Sequence, residues 1–96
     1  MDALEALADP TRRAVLDLLT RGEASAGDIA ARFPNSRPAV SRHLRVLREA
    51  GLLEVRAEGT RRVYALRRER LADVHDWFAQ RLDALDTELR RQRHDR

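Results

Sequence analysis

The feature that most constrains this chain is a short break between two helical patterns in its middle. The residues from Ser25 to Phe33 are apolar at helical spacing on one face, and Pro34 ends that pattern. The residues from Ser36 to Ala50, SRPAVSRHLRVLREA, form a second pattern. Its apolar stripe consists of Val40, Leu44 and Leu47. Because only Pro34 and Asn35 connect the two segments, the helices must cross sharply, which predicts a helix-turn-helix.

The second helix of this pair has an unusual solvent face. It carries no acidic residue before Glu49, whereas a merely solvated helix usually mixes both charges at a spacing of four. In a helix-turn-helix, the second helix enters the DNA major groove with its N-terminal residues on the base edges. Arginine pairs with guanine edges and phosphates, and serine permits close approach. The predicted DNA contacts of this segment are Ser36, Arg37, Pro38, Ser41, Arg42 and Arg45.

The periodicity changes from helical to alternating after Gly51. The stretch LLEVRAEGTRRVYAL predicts a β-hairpin with its turn at Glu58-Gly59-Thr60. Its apolar face contains Leu53, Val55 and Ala57, continued by either Val63 and Ala65 or Tyr64 and Leu66. An arginine-rich hairpin beside a recognition helix suits a wing on phosphates or the minor groove, and a plain basic surface hairpin is the alternative. The predicted wing contacts are Arg56, Thr60, Arg61 and Arg62.

Helices are also predicted at both ends of the chain. A short helix covers about Asp2 to Ala8, and Asp9 caps the next one, which starts at Pro10. The last helix runs from Arg68 to about Arg91, with apolar residues at steps of three and four, as in a coiled-coil seam. The apolar stripes of the first and last helices consist of Leu4, Leu7, Leu71, Val74, Phe78, Leu82, Leu85 and Leu89.

These elements predict a mainly α fold with a β-hairpin wing (α+β), a winged helix-turn-helix. Residues 1–92 are expected to form a single DNA-binding and dimerisation domain, and 93–96 a frayed tail. All 19 basic residues are arginine, and the stretch from Arg32 to Arg70 holds eleven arginines against four acidic residues. Coding bias explains the missing lysine as well as function does. The basic middle nevertheless indicates a polyanion, and double-stranded DNA is the expected partner.

Other function classes lack the residues that they need. Without cysteine there is no disulfide framework, thiolate metal site or thiol switch. We expect no enzyme, because Ser25, Ser36 and Ser41 have no adjacent base and no phosphate loop or HExxH motif is present. No apolar run approaches the roughly 20 residues that span a bilayer, and MDALEALADP lacks the basic start of a signal peptide. A cytoplasmic location without a membrane partner is therefore expected.

Three stretches of the chain, LADPTRRAVLDLL, SRPAVSRHLRVLREAGLLEVRAEGTRRVYAL and WF, resemble the ArsR/SmtB family of winged-helix repressors. The resemblance is to members without metal-binding cysteines. It implies a homodimeric transcriptional repressor, or autorepressor, whose recognition helices enter successive major grooves. Its first and last helices would form the dimer interface, through the apolar stripes from Leu4 to Leu7 and from Leu71 to Leu89. The operator would be an inverted repeat. The alternative is a winged helix that serves as a protein-interaction or dimerisation module without specific DNA binding.

The resemblance also directs attention to sensor sites. Many relatives release DNA when a metal or metalloid binds, and the best-known site uses a Cys-Val-Cys pair in the helix before the recognition helix. This chain has SAGDIAARF there, without a thiol, which excludes a soft-metal site at that place. In the last helix, Asp73 and His75 match one half of an Asp-x-His metal site, but the expected second half near Asp86 has no histidine. The favoured interpretation is the polar rim of a dimer helix. No metal or other cofactor is expected, and the sequence identifies no inducer.

Two further features have alternative interpretations. His43 stands in the middle of the recognition helix, where a partly buried histidine with a local hydrogen bond is favoured over a base contact. Trp77 and Phe78 fit interface packing better than the lining of a small-molecule cavity, because no polar groups converge on them in the sequence.

Overall fold

The structure, a computed structural model, describes residues 1–94 and confirms a helical fold with a β-hairpin wing. A third strand, too short to predict, extends the hairpin into a sheet. The elements within residues 1–94 are α1 (Ala3–Ala6), α2 (Pro10–Leu19), β1 (Ala24–Ser25), α3 (Ala26–Ala31), α4 (Arg37–Glu49), β2 (Leu53–Glu58), β3 (Arg61–Leu66) and α5 (Arg68–His94). The pair α3 and α4 forms the helix-turn-helix.

Polar side chains cap the starts of α2, α3 and α4, and Asp9 is the cap that the sequence predicts for α2. Each capping side chain accepts a hydrogen bond from the backbone N–H three residues later, which satisfies a donor that the helix itself leaves free. The caps are Asp9 Oδ2 from Arg12 N at 3.0 Å, Ser25 Oγ from Asp28 N at 3.1 Å, and Ser36 Oγ from Ala39 N at 3.3 Å. Gly51, at φ 81°, adopts the left-handed conformation that ends α4.

The core lies where α2, α3 and α4 meet the inner side of the sheet. Its fully buried side chains include Val15, Ile29, Val40, Leu47, Leu52 and Leu53. Ala6 anchors α1 to the same core and is completely buried. Leu7 and Leu71, predicted for the dimer interface, are partly buried against this core of their own chain.

The sheet has the order β1-β3-β2, and both pairings are antiparallel. Val55 lies opposite Tyr64, and Arg56 lies opposite Val63. Tyr64 belongs to the hydrophobic core, and Leu66 packs against it. Of the two alternatives that the sequence left open, Tyr64 and Leu66 therefore continue the inner face of the hairpin, rather than Val63 and Ala65. A two-residue turn, Gly59-Thr60, joins β2 to β3, with Gly59 at φ 61°.

Three helix boundaries differ from the prediction. α1 is shorter than predicted, because the chain must turn through Leu7 and Ala8 before Asp9 caps α2. α3 ends at Ala31, where hydrogen bonds of the i→i+3 type tighten the last turn. α5 continues to His94, so 93–94 of the predicted frayed tail are helical, and 95–96 lie outside the described residues.

α5 is the longest element, at 27 residues and about 40 Å. None of its residues in the described chain is fully buried. It gives the molecule a long axis of 65 Å, against 24 and 23 Å in the other directions. Within residues 1–94, no helix has both the length and the apolarity that a membrane crossing requires.

Candidate nucleic-acid interface

The buried stripe of α4 decides which of its side chains face solvent. Val40 and Leu44 are each 2% exposed and Leu47 is fully buried, so the opposite side of the helix points outward. That exposed side carries Ser36, Arg37, Pro38, Ser41, Arg42, Arg45 and Arg48. Every residue of this segment that the sequence predicted for DNA contact is therefore accessible.

A cleft of about 270 Å³ runs between α4 and β3. Its lining consists of Ser41, Arg42, Arg45, Arg48, Arg62 and Tyr64. No acidic residue lines it, and within residues 1–94 none of its four arginines forms an ion pair. We call the exposed side of α4 together with Arg62 the recognition face. Uncompensated guanidinium groups on two elements create a positive field that attracts a polyanion.

Arg48 also lines this cleft, although it is not among the DNA contacts predicted from the sequence. It lies three residues after Arg45, so the two side chains share one side of the helix. That spacing is a signal available from the sequence. Because Arg48 is in the last turn of α4, it lies farther from the N-terminal end that reads base edges, in a position suited to a phosphate.

The opposite side of the hairpin, which we call the outer wing face, carries Arg56 and Arg61. The two terminal nitrogens of Arg56 donate to the two carboxylate oxygens of Glu23 at 2.6 Å each, and Nη2 also donates to Glu58 at 2.8 Å. Arg61 donates to Asp28 at 3.3 Å. The three wing arginines therefore do not share one surface: Arg62 joins the recognition face, and Arg56 and Arg61 are held by carboxylates.

The ion pairs of the outer wing face shift the pKa values of Glu23 and Arg56. The hydrogen bonds from Arg56 lower the pKa of Glu23 below its ordinary value, and the positive charge adds to the effect, against a smaller opposing effect of desolvation. In turn, the hydrogen bonds to Glu23 and Glu58 raise the pKa of Arg56. The paired side chains are about half exposed, so solvent screens the attraction and the stabilisation is small.

His43 lies on the flank of α4 and is partly buried, with its side chain 20% exposed. Its partners come from the start of α2 rather than from its own helix. Nδ1 lies 3.5 Å from Arg12 Nη1 and 3.9 Å from Asp9 Oδ2. The pKa of Asp9 is lowered, chiefly by the hydrogen bond from the Arg12 backbone N–H, against an opposing effect of desolvation.

An apolar face of α5 is uncovered in the single chain. Phe78, Leu82, Leu85 and Leu89 are 51%, 60%, 60% and 54% exposed. Trp77 extends this face: its ring meets Phe78 edge-on at 5.3 Å between centroids, and Arg81 stacks over it at 4.1 Å. Leu4 of α1 is 38% exposed, and Val74 is partly buried. A contiguous exposed apolar face of this kind marks an interaction surface.

The metal candidates of α5 are engaged with neighbours on the same helix. Asp73 pairs with Arg70 at 3.6 Å, and His75 Nδ1 lies 3.2 Å from Asp76 Oδ1. In the part of the chain that the structure describes, no three His, Cys, Asp or Glu side chains converge as a metal site would require. The side chains of Asp73 and His75 are 68% and 81% exposed.

Comparison with a family model and with individual proteins places this arrangement among bacterial regulators. A helix-turn-helix domain model matches residues 7–56. Transcriptional repressor SdpR of Bacillus subtilis is 36% identical over 88 residues, which cover 92% of this chain and 98% of the repressor. The HTH-type transcriptional regulator Rv2034 of Mycobacterium tuberculosis is 53% identical over 64 residues, 67% of this chain. The matched region spans 60% of the length of Rv2034.

Solved structures share the fold over most of the chain. The crystal structure of the ArsR family transcriptional regulator RHA00566 superposes with a TM-score of 0.82 at 34% identity, covering 86% of this chain and 91% of that protein. An ArsR-like transcriptional regulator from Rhodococcus sp. RHA1 gives a TM-score of 0.80 at 31% identity, covering 90% and 81%. Both the recognition face and α5 therefore lie in a fold that these regulators share.

Proposed function

The chain belongs to the ArsR family of winged helix-turn-helix transcriptional regulators, and on this premise we propose that it is a homodimeric repressor of an inverted-repeat DNA operator. The observation that carries the proposal is the recognition face, where four arginines from α4 and β3 line one cleft without an acidic residue. A polyanion is the partner that such a surface favours. The shape of an exposed helix beside a hairpin suits duplex DNA.

The N-terminal half of α4 is assigned to the base edges. Ser41 and Arg42 lie in its exposed N-terminal half, the end that enters the major groove in this motif. A guanidinium can donate two hydrogen bonds to O6 and N7 of guanine, whereas a short serine lets the helix approach closely. Arg37 and Arg45 lie on the same exposed side. This assignment makes Arg42 the principal determinant of sequence preference.

The wing is assigned to the phosphate backbone through Arg62. Its side chain shares the cleft with α4, and no carboxylate in the described chain competes for it. Thr60 and Arg61 at the tip are secondary contacts, since Arg61 must exchange Asp28 for a phosphate. Arg56, which is bound by two carboxylates, braces the hairpin and contributes little to DNA affinity.

A second copy of the chain is assigned to the apolar face of α5. The seam from Leu71 to Leu89 repeats at steps of three and four, the pattern of helices that pack along their length. α1 contacts α5, and its Leu4 is 38% exposed. Pairing through this face gives the two recognition helices a twofold relation, and so an inverted repeat with half-sites about 10 bp apart.

The test is selection of binding sites from random duplex DNA by the purified chain, followed by footprinting and sedimentation. We expect a dimer that protects two half-sites of a dyad, about one helical turn apart. A monomer, or a single protected half-site, would contradict the dimer assignment. Equal affinity for selected and random duplex would instead favour a protein-interaction module. Repression is tested by a reporter whose promoter overlaps the selected site, with lower expression expected when the protein is present.

A further inference from the structure

The guanidinium group of Arg12 lies between two helices with different roles. Arg12 Nε donates to Ala6 O at 2.6 Å, and Nη2 donates to Glu5 O at 3.4 Å. Both carbonyls belong to the C-terminal end of α1. Glu5 O also accepts from Ala8 N at 3.1 Å, whereas in residues 1–94 the donor to Ala6 O is Arg12.

The same guanidinium group faces the middle of α4. Arg12 Nη1 lies 3.5 Å from Nδ1 of His43, a residue between the buried stripe and the exposed arginines of that helix. Because arginine has no acceptor, Nδ1 is the acceptor of this contact. Asp9 lies beside both groups: it caps α2 by accepting from the Arg12 backbone, and its Oδ2 is 3.9 Å from His43 Nδ1.

We propose that Arg12 is a positioning residue that fixes α4 relative to α1 and so couples the dimer-forming side of the molecule to its DNA-reading side. The proposal rests on the proposed function, since it takes α1 as part of the dimer contact and α4 as the reading helix. The guanidinium is planar and its donors are fixed in direction, so one group bonded to both helices transmits the orientation of one to the other. α1 contacts both α4 and α5, which places Arg12 at their junction.

The adjacent residue provides a matched control. Arg13 Nη1 donates to Leu7 O at 2.9 Å, so it also supports the end of α1. Among the hydrogen bonds and ion pairs of residues 1–94, none joins Arg13 to α4. Arg12→Gln and Arg13→Gln therefore remove the same charge from neighbouring positions of α2, but only the first breaks a link to the recognition helix.

A second pair of variants tests the α4 end of the link. His43→Asn keeps an acceptor oxygen close to the position of Nδ1, whereas His43→Leu removes the acceptor and retains a good helix former. If the acceptor matters, the asparagine variant preserves operator binding and the leucine variant does not. If His43 only fills space, leucine is the better tolerated of the two.

The experiment measures the affinity of the four full-length variants for the selected operator and for random duplex, with sedimentation and thermal unfolding as controls. We expect Arg12→Gln and His43→Leu to lose about tenfold in operator affinity, with random-duplex affinity and dimerisation unchanged. Arg13→Gln and His43→Asn should stay within about twofold of the original chain. Equal losses in Arg12→Gln and Arg13→Gln, or losses that follow dimer dissociation or unfolding, would overturn the inference. Failure of the unmodified chain to prefer any operator would instead overturn the proposed function.

Discussion

The recognition face and the outer wing face carry the same kind of side chain in opposite circumstances. On the recognition face, Arg42, Arg45 and Arg62 line an open cleft without an ion pair in residues 1–94. On the outer wing face, Arg56 and Arg61 lie 2.6 and 3.3 Å from carboxylate oxygens. Arginine content alone therefore does not distinguish the proposed DNA surface from the outer wing face. The two faces differ in whether their arginines have carboxylate partners.

The difference has a thermodynamic consequence for binding. A free guanidinium that meets a phosphate releases the counterion condensed there, and this release is what makes affinity depend on salt. A paired guanidinium must first separate from its carboxylate, so the net gain is small and the freed carboxylate repels the DNA. The two faces should therefore differ most clearly in the salt dependence of binding.

The largest effect is expected from Leu82→Asp, which separates the two recognition faces from each other. A carboxylate buried in an apolar seam costs on the order of several kcal/mol, so the dimer should dissociate and operator binding should be lost. Sedimentation and gel shift measure the two results. Gln80→Asp, which adds the same charge on the other side of α5, should leave both unchanged. An unaltered sedimentation coefficient for Leu82→Asp would contradict the assigned seam.

The next largest effect is expected from Arg42→Ala on the recognition face. Loss of a bidentate contact to a base should cost about 1–3 kcal/mol and relax the preference at one base position. Repeating the site selection with the variant measures this change directly. An affinity loss that is equal for every sequence would show that Arg42 contacts a phosphate instead.

Within the wing, Arg62→Ala should weaken binding to all sequences alike. The loss of one phosphate contact should flatten the dependence of log affinity on log salt by about one unit. Arg61→Ala, its neighbour on the outer wing face, should change that slope less because Arg61 is paired with Asp28. Titrations at four or five salt concentrations distinguish the two. Equal slope changes would remove the distinction between the faces.

Arg56→Gln should have the smallest effect on DNA. Its guanidinium is bound to Glu23 and Glu58, so operator affinity should stay within about twofold and the salt slope should not change. The same titrations measure this result. A loss as large as that of Arg62→Ala would mean that DNA displaces both carboxylates and that the outer wing face contacts the duplex.

The smallest expected effect is on folding stability rather than on DNA binding, and it appears when the pH is lowered. The pKa of Glu23 is lowered from its ordinary value of 4.5 by Arg56, so the pair stabilises the folded chain above pH 4.5 and the contribution disappears as the pH falls through the lowered pKa. The difference in unfolding free energy between the original chain and Glu23→Gln should therefore shrink at low pH. With Arg56→Gln as the background, the same difference should no longer depend on pH in this range.

Local chemistry made much of the fold predictable. Asp9 was identifiable as a cap because it needs only a donor three residues along the same chain. The end of α4 was identifiable because the periodicity changes after Gly51, which is also a local signal. The side of β3 that packs on the core could not be identified, because Val63 and Tyr64 are both apolar enough to face a core and the alternating pattern cannot choose between them.

The contacts that divide the arginines could not be predicted. Arg56 meets Glu23 across 33 residues of sequence, and His43 meets Arg12 across 31. Such pairs form only when the sheet and the helices pack together, so no local spacing in the sequence predicts them. β1 is a similar case, because Ala24 and Ser25 become a strand only through their pairing with Tyr64 and Val63. The exposure of the α4 arginines could be predicted from the sequence, whereas the pairing of Arg56 and Arg61 with carboxylates could not.

β1 contains two residues, yet it immediately precedes α3 and pairs with β3. It thereby ties the hairpin to the helix-turn-helix and, under the proposed function, helps to hold Arg62 and the arginines of α4 at a fixed separation. A binding surface whose parts are already held in place loses little conformational entropy on docking, so more of the contact free energy is kept as affinity. In the proposed complex, the shortest strand of the sheet thus contributes to DNA affinity without contacting the DNA.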